Sequence, residues 1–135
     1  MVGSLKDFPW DRYSVVFAVL FGSRAWGRAV KGDWDIAVWL VDVDLAVDIQ
    51  YALAKFLGVR ENEVDLVVLN DYERLPCSLI IDVLGRGRLI YCRDLNEYLE
   101  IRSKVLNPCF DFVIDAEKLQ LLETQIEAVT RRWAL

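Results

Sequence analysis

An unbroken apolar run from Val15 to Phe21 stops on Gly22-Ser23. Such a run has no polar face to offer water, so it predicts a buried strand, which in turn requires other elements to cover it. Gly-Ser at its end predicts a sharp turn into a short helix, where free backbone N–H groups attract phosphate oxygens.

A second apolar segment follows after nine intervening residues, and it opens Asp33-Trp34-Asp35-Ile36-Ala37-Val38. Successive strand side chains alternate between faces, so Asp33 and Asp35 share one face while Trp34 and Ile36 take the other. Two like charges side by side near a core repel, and a divalent cation removes that difficulty. A third apolar run, Val64-Asp65-Leu66-Val67-Val68-Leu69, carries one acid in its interior and closes on Asn70-Asp71. Asp65 is either a third ligand or an acid at an exposed strand end. Carboxylates of this kind suit Mg²⁺ or Mn²⁺, which bind a few acids and complete their shell with substrate phosphates. Such a set could serve in-line displacement at phosphorus, with Asp35 bridging two ions and Asp65 serving the attacking oxygen.

The rest of the chain reads as support. Residues 1–13 predict a loop or single turn. Asp42 or Asp44 can cap a helix whose apolar positions Leu45, Ile49, Ala52, Leu53 and Phe56 follow helical spacing, with Gly58 at its end. Helical spacing recurs from Pro76 to about Leu84, Gly85-Arg86-Gly87 breaks it, and Leu89–Cys92 reads as a fourth strand. Asp94 can cap a helix through roughly Val105 that Asn107-Pro108 stops, and a last helix is expected from Asp115 to near Trp133. In the last helix Leu119, Leu122, Ile126, Val129 and Trp133 form a narrow apolar seam of coiled-coil type. The expectation is a single α/β (α+β) domain over residues 1–135, its C-terminal helices at about 94–133 closing the core or forming an interface.

Composition excludes several chemistries. The chain has no histidine, which removes Ser-His-Asp and Cys-His catalysis and His-ligated metals. Its three cysteines, Cys77, Cys92 and Cys109, are far apart and lack CxxC spacing, so they read as small core residues rather than a disulfide framework or zinc site. A net charge of -5 disfavours stable binding to a nucleic-acid backbone. No apolar stretch approaches the roughly 20 residues that span a bilayer, and the N-terminus lacks a signal peptide's layout, so the expectation is a cytoplasmic protein with no membrane partner.

Gly22-Ser23, Asp33-Trp34-Asp35 and the later Asp65 together resemble the signature of the polymerase β-type nucleotidyltransferase superfamily. The stretch Phe21-Gly-Ser-Arg-Ala-Trp-Gly27, the short length and the tail around Asp111-Phe112 look most like a minimal nucleotidyltransferase (MNT), the antitoxin-like partner of a HEPN-domain toxin. The resemblance implies a small mixed sheet of about four strands with helices mainly on one face, ATP as substrate, Mg²⁺, and AMP transfer to a tyrosine hydroxyl of the HEPN protein. It implies Asp33, Asp35 and Asp65 as catalytic and metal-binding residues, and Gly22, Ser23, Arg24 and Gly27 as the nucleotide-phosphate contacts. A non-catalytic antitoxin that neutralises its partner by complex formation is the alternative, and a homodimer or hetero-oligomer is compatible with the seam. The chain departs from the family at Trp26, where many members carry a second arginine. Arg24, Arg28 and Lys31 are nearby cations that could compensate, and Trp26 could instead stack on a base or fill a gap beneath the loop.

Overall fold

The computed structural model describes residues 5–26 and 33–133. Four strands form one mixed sheet: β1 (Val15–Phe21), β2 (Trp34–Leu40), β3 (Val64–Val68) and β4 (Arg88–Cys92), in the spatial order β3-β2-β1-β4. β1 runs antiparallel to both neighbours, and β2 runs parallel to β3. The parallel pair needs a crossover, which the helix α1 (Ala46–Leu57) supplies.

Every residue of β1 is buried because the strand is central and covered on both faces. A bulge between Val15 and Phe17 resets the alternation, so Val15, Ala18 and Leu20 face one core while Val16, Phe17, Val19 and Phe21 face the other. The first core is closed by α1 through Ile49 and Leu53 and by the N-terminal segment through Leu5, Phe8 and Trp10. Trp10 is fixed there by an Nε1–H bond to the Leu5 carbonyl at 2.9 Å. The second core takes two helices: α2 (Cys77–Ile80), which widens into a π-turn over Ile81–Gly85, and α3 (Leu95–Trp133).

Local signals terminate these elements as their chemistry dictates. The Asp42 carboxylate accepts from the Asp44 N–H at 3.0 Å and caps the turn leading into α1, while Gly58 closes α1 at φ 71°. Asp94 caps α3, accepting the Asn96 N–H at 2.9 Å. β3 is extended by a side chain: Asn70 donates to the Leu40 carbonyl at 2.7 Å and accepts from its N–H at 2.9 Å, imitating a further rung beside β2.

Two expectations are corrected. Asn107-Pro108 does not stop a helix, because α3 runs through it as one 39-residue element, about 58 Å long at 1.5 Å per residue. The nitrogen of Pro108 cannot donate to the Lys104 carbonyl, but both residues are exposed, so water can satisfy that acceptor. Val105, Leu106 and Cys109, on either side of the proline, all sit in the same core and hold this stretch of the helix against it. Nor are all three cysteines independent core residues. Cys77 and Cys109 form a disulfide, their Cα atoms 5.3 Å apart, joining the start of α2 to α3, and Cys92 alone is a free thiol. The 32-residue separation hid a pairing that only packing of α2 on α3 creates.

A proline inside a helix costs roughly 3 kcal/mol against alanine. Pro108→Ala should therefore raise the thermal midpoint while leaving helix content unchanged by circular dichroism; a lower midpoint would contradict a continuous α3.

Of the C-terminal seam, only the Leu119 side chain lies within the described side chains, and it is 62% exposed; Leu122, Ile126, Val129 and Trp133 lie outside them. Among the described residues no helix is long and apolar enough to cross a membrane.

Candidate active site

The site forms where β1 ends and β2 and β3 begin. Phe21 pairs with Asp35 across the antiparallel β1–β2 ladder, and Asp35 pairs with Asp65 across the parallel β2–β3 ladder. Three neighbouring strands thus bring Phe21, Asp35 and Asp65 into one row. Asp33 precedes β2 by one residue and shares the face of Asp35, and Trp34 and Ile36 are buried on the opposite side.

Asp35 is the half-buried member, and Asp33 and Asp65 are exposed. Burial pushes the Asp35 carboxyl above its ordinary 3.8, the negative charges of Asp65 and then Asp33 push it the same way, and a side-chain hydrogen bond with Asp65 adds to the shift. Opposed acids in direct register are unfavourable unless a proton or cation stands between them. Among the described residues, no three acidic or sulfur ligands close a metal cage unaided. That arrangement still fits Mg²⁺, which is bound through one or two carboxylates plus substrate phosphates rather than in an all-protein cage.

Gly22 stands directly against this acid. Its φ is +76°, and a Cβ built on it would overlap the Asp35 Oδ2 atom, so glycine is required here on both counts. The chain then turns through a short 3₁₀ segment, Ser23–Trp26. Ser23 is exposed at its start. Arg24 takes a different direction from the acids: its guanidinium lies 4.3 Å from the centroid of the Trp34 ring, on the other side of β2. Gly27, Arg28 and Lys31 lie outside the described residues.

An open cleft of about 830 Å³ takes in Gly22 and Asp35 but not Asp33, Asp65, Ser23 or Arg24; it is lined by Phe21, Gly22, Trp26, Asp35, Asp82, Gly85, Arg86 and Gly87. Its far wall comes from the end of α2 and the link to β4, where the sequence shows only a break in helical spacing. The π-turn carries Asp82 and Arg86 into the cleft, ion-paired at 3.2 Å. Arg102 of α3 holds this wall by donating from Nε to the Leu84 carbonyl at 2.9 Å. Gly87 donates to the Val83 carbonyl at 3.0 Å, and a Cβ on it would collide with that oxygen. Gly87 is the available signal, since its backbone packs against the preceding turn too closely to admit a side chain, whereas a Cβ on Gly85 would meet only ordinary contacts of 3.6 Å or more.

The near and far walls are tied at Trp26. Its indole Nε1–H donates to the Arg86 carbonyl at 2.9 Å, the Arg88 guanidinium lies 5.1 Å from its ring centroid, and Arg88 Nη1 donates to the Ala25 carbonyl at 3.0 Å.

The chain thus combines a mixed α/β fold with acids in register on adjacent strands, set against a glycine turn at the mouth of an open cleft. More narrowly, it belongs to the polymerase beta nucleotidyltransferase family, whose sequence model, described as "Polymerase beta, Nucleotidyltransferase", matches residues 4–96. No curated protein sequence gives a significant match. Among solved structures, a chain of a toxin–antitoxin complex with AMP-PNP superposes with a TM-score of 0.59 at 17% identity, covering 93% of this chain and 98% of that one. A chain of the tri-AMPylated Shewanella oneidensis HEPN toxin in complex with MNT antitoxin gives 0.56 at 20% identity, covering 93% and 99%. A further Shewanella oneidensis structure gives 0.57 at 18% identity, covering 93% and 96%. At these identities the likeness establishes a shared fold over nearly the whole of both chains.

Proposed function

We propose that this protein is a Mg²⁺-dependent nucleotidyltransferase that moves AMP from ATP to the phenolic oxygen of a tyrosine on a HEPN-domain partner, acting as its antitoxin. The observation that carries the reading is the register of Asp35 with Asp65, with Asp33 on the same face and Gly22 packed against Asp35. A sequence under selection for stability alone gains nothing from this cluster, whereas a phosphoryl-transfer site needs it. Membership of the family and the shared fold with chains from AMP-PNP-bound and AMPylated complexes support the same reading.

Asp33, Asp35 and Asp65 would hold the Mg²⁺, which when bound neutralises charge on the triphosphate and acidifies the attacking hydroxyl. The chain's own groups do the rest. The Gly22-Ser23 backbone, free of a Cβ at Gly22, receives the phosphate chain beside the acids. Asp65, the more exposed partner in the Asp35–Asp65 pair, takes the phenolic proton as the oxygen attacks the α-phosphorus and pyrophosphate leaves. The open cleft gives the triphosphate access, and the acceptor arrives on another protein.

The test is to incubate the protein with α-labelled ATP, Mg²⁺ and a candidate HEPN-domain partner, with an Asp33→Asn/Asp35→Asn double variant in parallel. Label should appear on the partner with wild type and not with the variant. No label with either, together with tight complex formation, would establish the second reading, a binding antitoxin that acts by covering its partner. One feature favours that alternative: α3 continues to Trp133, well past Cys109, the last of its described side chains in the core, with Phe110 and Leu119 exposed.

A further inference from the structure

Trp26 is 58% exposed, yet its indole is hydrogen-bonded to the opposite wall. A residue filling a gap beneath the turn would be buried, so that role is excluded by its exposure. Its edge is anchored by the Nε1–H bond to the Arg86 carbonyl at 2.9 Å. Arg88, which bonds the Ala25 carbonyl, stands against the ring but is not among the residues lining the cleft, whereas the indole itself lines it. The indole therefore presents to the cleft the surface that Arg88 does not cover. A large aromatic ring fixed at two points, with a free surface turned to a cleft that also contains Gly22 and Asp35, is organised in advance for a flat ligand.

We infer that Trp26 is the platform on which the base of the nucleoside triphosphate stacks, and that it selects purines as a class over pyrimidines. This rests on the nucleotidyltransferase reading above and adds to it the substrate feature that the site reads. Stacking recognises a π-face and tolerates changes at the base edge, so adenine and guanine are accepted alike, while the smaller pyrimidine ring overlaps the indole less. The same arrangement divides binding into two independent parts: the glycine turn and acids take the phosphates, and Trp26 takes the base.

Calorimetric titration of the full chain with ATP, GTP, CTP and inorganic tripolyphosphate, each with Mg²⁺, tests this directly on wild type, Trp26→Phe and Trp26→Ala. Trp26→Ala should weaken ATP and GTP by roughly tenfold, the order of one lost base-stacking contact, and leave tripolyphosphate unchanged. Wild type should bind ATP and GTP more tightly than CTP, and Trp26→Ala should narrow that difference. Trp26→Phe keeps an aromatic face but lacks the N–H, so it should retain most of the ATP affinity. Equal weakening of ATP and tripolyphosphate in Trp26→Ala would overturn the inference and make Trp26 a prop for the phosphate turn. Unchanged ATP affinity in that variant would overturn it too, without touching the nucleotidyltransferase reading. Failure of wild type to bind any triphosphate would overturn both.

Discussion

Asp35→Asn should abolish AMP transfer while making the metal-free protein more stable. On activity the expected loss is on the order of 10³-fold, the scale seen when one preorganised electrostatic partner of a reacting phosphate is removed. The stability gain follows from the direction of the Asp35 shift. Burial, Asp65 and Asp33 all raise its carboxyl above 3.8, so the folded chain holds this proton more tightly than the unfolded chain does. The site's favourable contribution is present at pH values below the unfolded carboxyl's range and is lost as pH rises through the raised folded value. Above that point an ionised Asp35 faces two like charges, and the neutral amide does not. In EDTA, the variant's thermal midpoint should exceed that of wild type by a few degrees at pH 8, and the gap should shrink as pH falls toward 4. Adding Mg²⁺ should raise the wild-type midpoint and close the gap, because binding to the folded state stabilises it by mass action. A variant that melts below wild type at every pH, and a wild type indifferent to Mg²⁺, would sink the account of Asp35 as a ligand held in like-charge strain.

That prediction depends on a feature only half visible in the sequence. The two-residue spacing of Asp33 and Asp35 was enough to place them on one face with Trp34 and Ile36 on the other, because alternation is a property of any strand. Asp65 stood out as an acid within an apolar run, but its strand could have lain anywhere in the sheet. What sets Asp35 opposite Asp65 is the parallel register of β2 on β3, fixed by α1 packing Ile49 and Leu53 onto the sheet. The capping residues Asp42, Gly58 and Asp94 were legible for the complementary reason: their partners lie within a few residues of chain.

Where partners are distant, local rules failed in a consistent way. Pro108 is a helix breaker by its own chemistry, and it is overruled by the burial of Val105, Leu106 and Cys109 around it. Cys77 and Cys109 carry no spacing signal, since their pairing depends on where α2 meets α3. Arg24, a phosphate contact by family resemblance, has its guanidinium over the Trp34 ring, a placement that depends on β2 as well as on the turn. The wall that carries Asp82 and Arg86 is faint in the sequence, marked by Gly87 alone, because the residues it faces lie some 60 positions earlier in the chain. Among the described residues, Arg86 of the link into β4 is the cation that lines the cleft.

Gly22→Ala is the second large effect, and it separates the turn from the acids. Alanine at φ +76° is strained by itself, at about 1–3 kcal/mol for a non-glycine residue held in the left-handed region. The added methyl has a second obstacle, because it would occupy the position of Asp35 Oδ2. Relief requires either moving the turn, and with it the backbone that receives the phosphates, or rotating the Asp35 carboxyl away from Asp65. Both routes damage the site, so the variant should be less stable than wild type and should lose most of its transfer activity. The double variant Gly22→Ala/Asp35→Asn distinguishes the two costs. The amide is as large as the carboxylate, so the steric conflict persists and its midpoint should stay well below that of Asp35→Asn alone. Gly22→Ala/Asp35→Ala removes the obstructing oxygen, and its loss relative to Asp35→Ala should fall to the backbone strain alone. Equal midpoint losses from Gly22→Ala in the wild-type and Asp35→Ala backgrounds would show that the turn and the acid are not in contact. A smaller loss in the Asp35→Ala background, measured as a double-mutant cycle by thermal unfolding, is the expected signature of a glycine retained because a carboxylate occupies the space of its side chain.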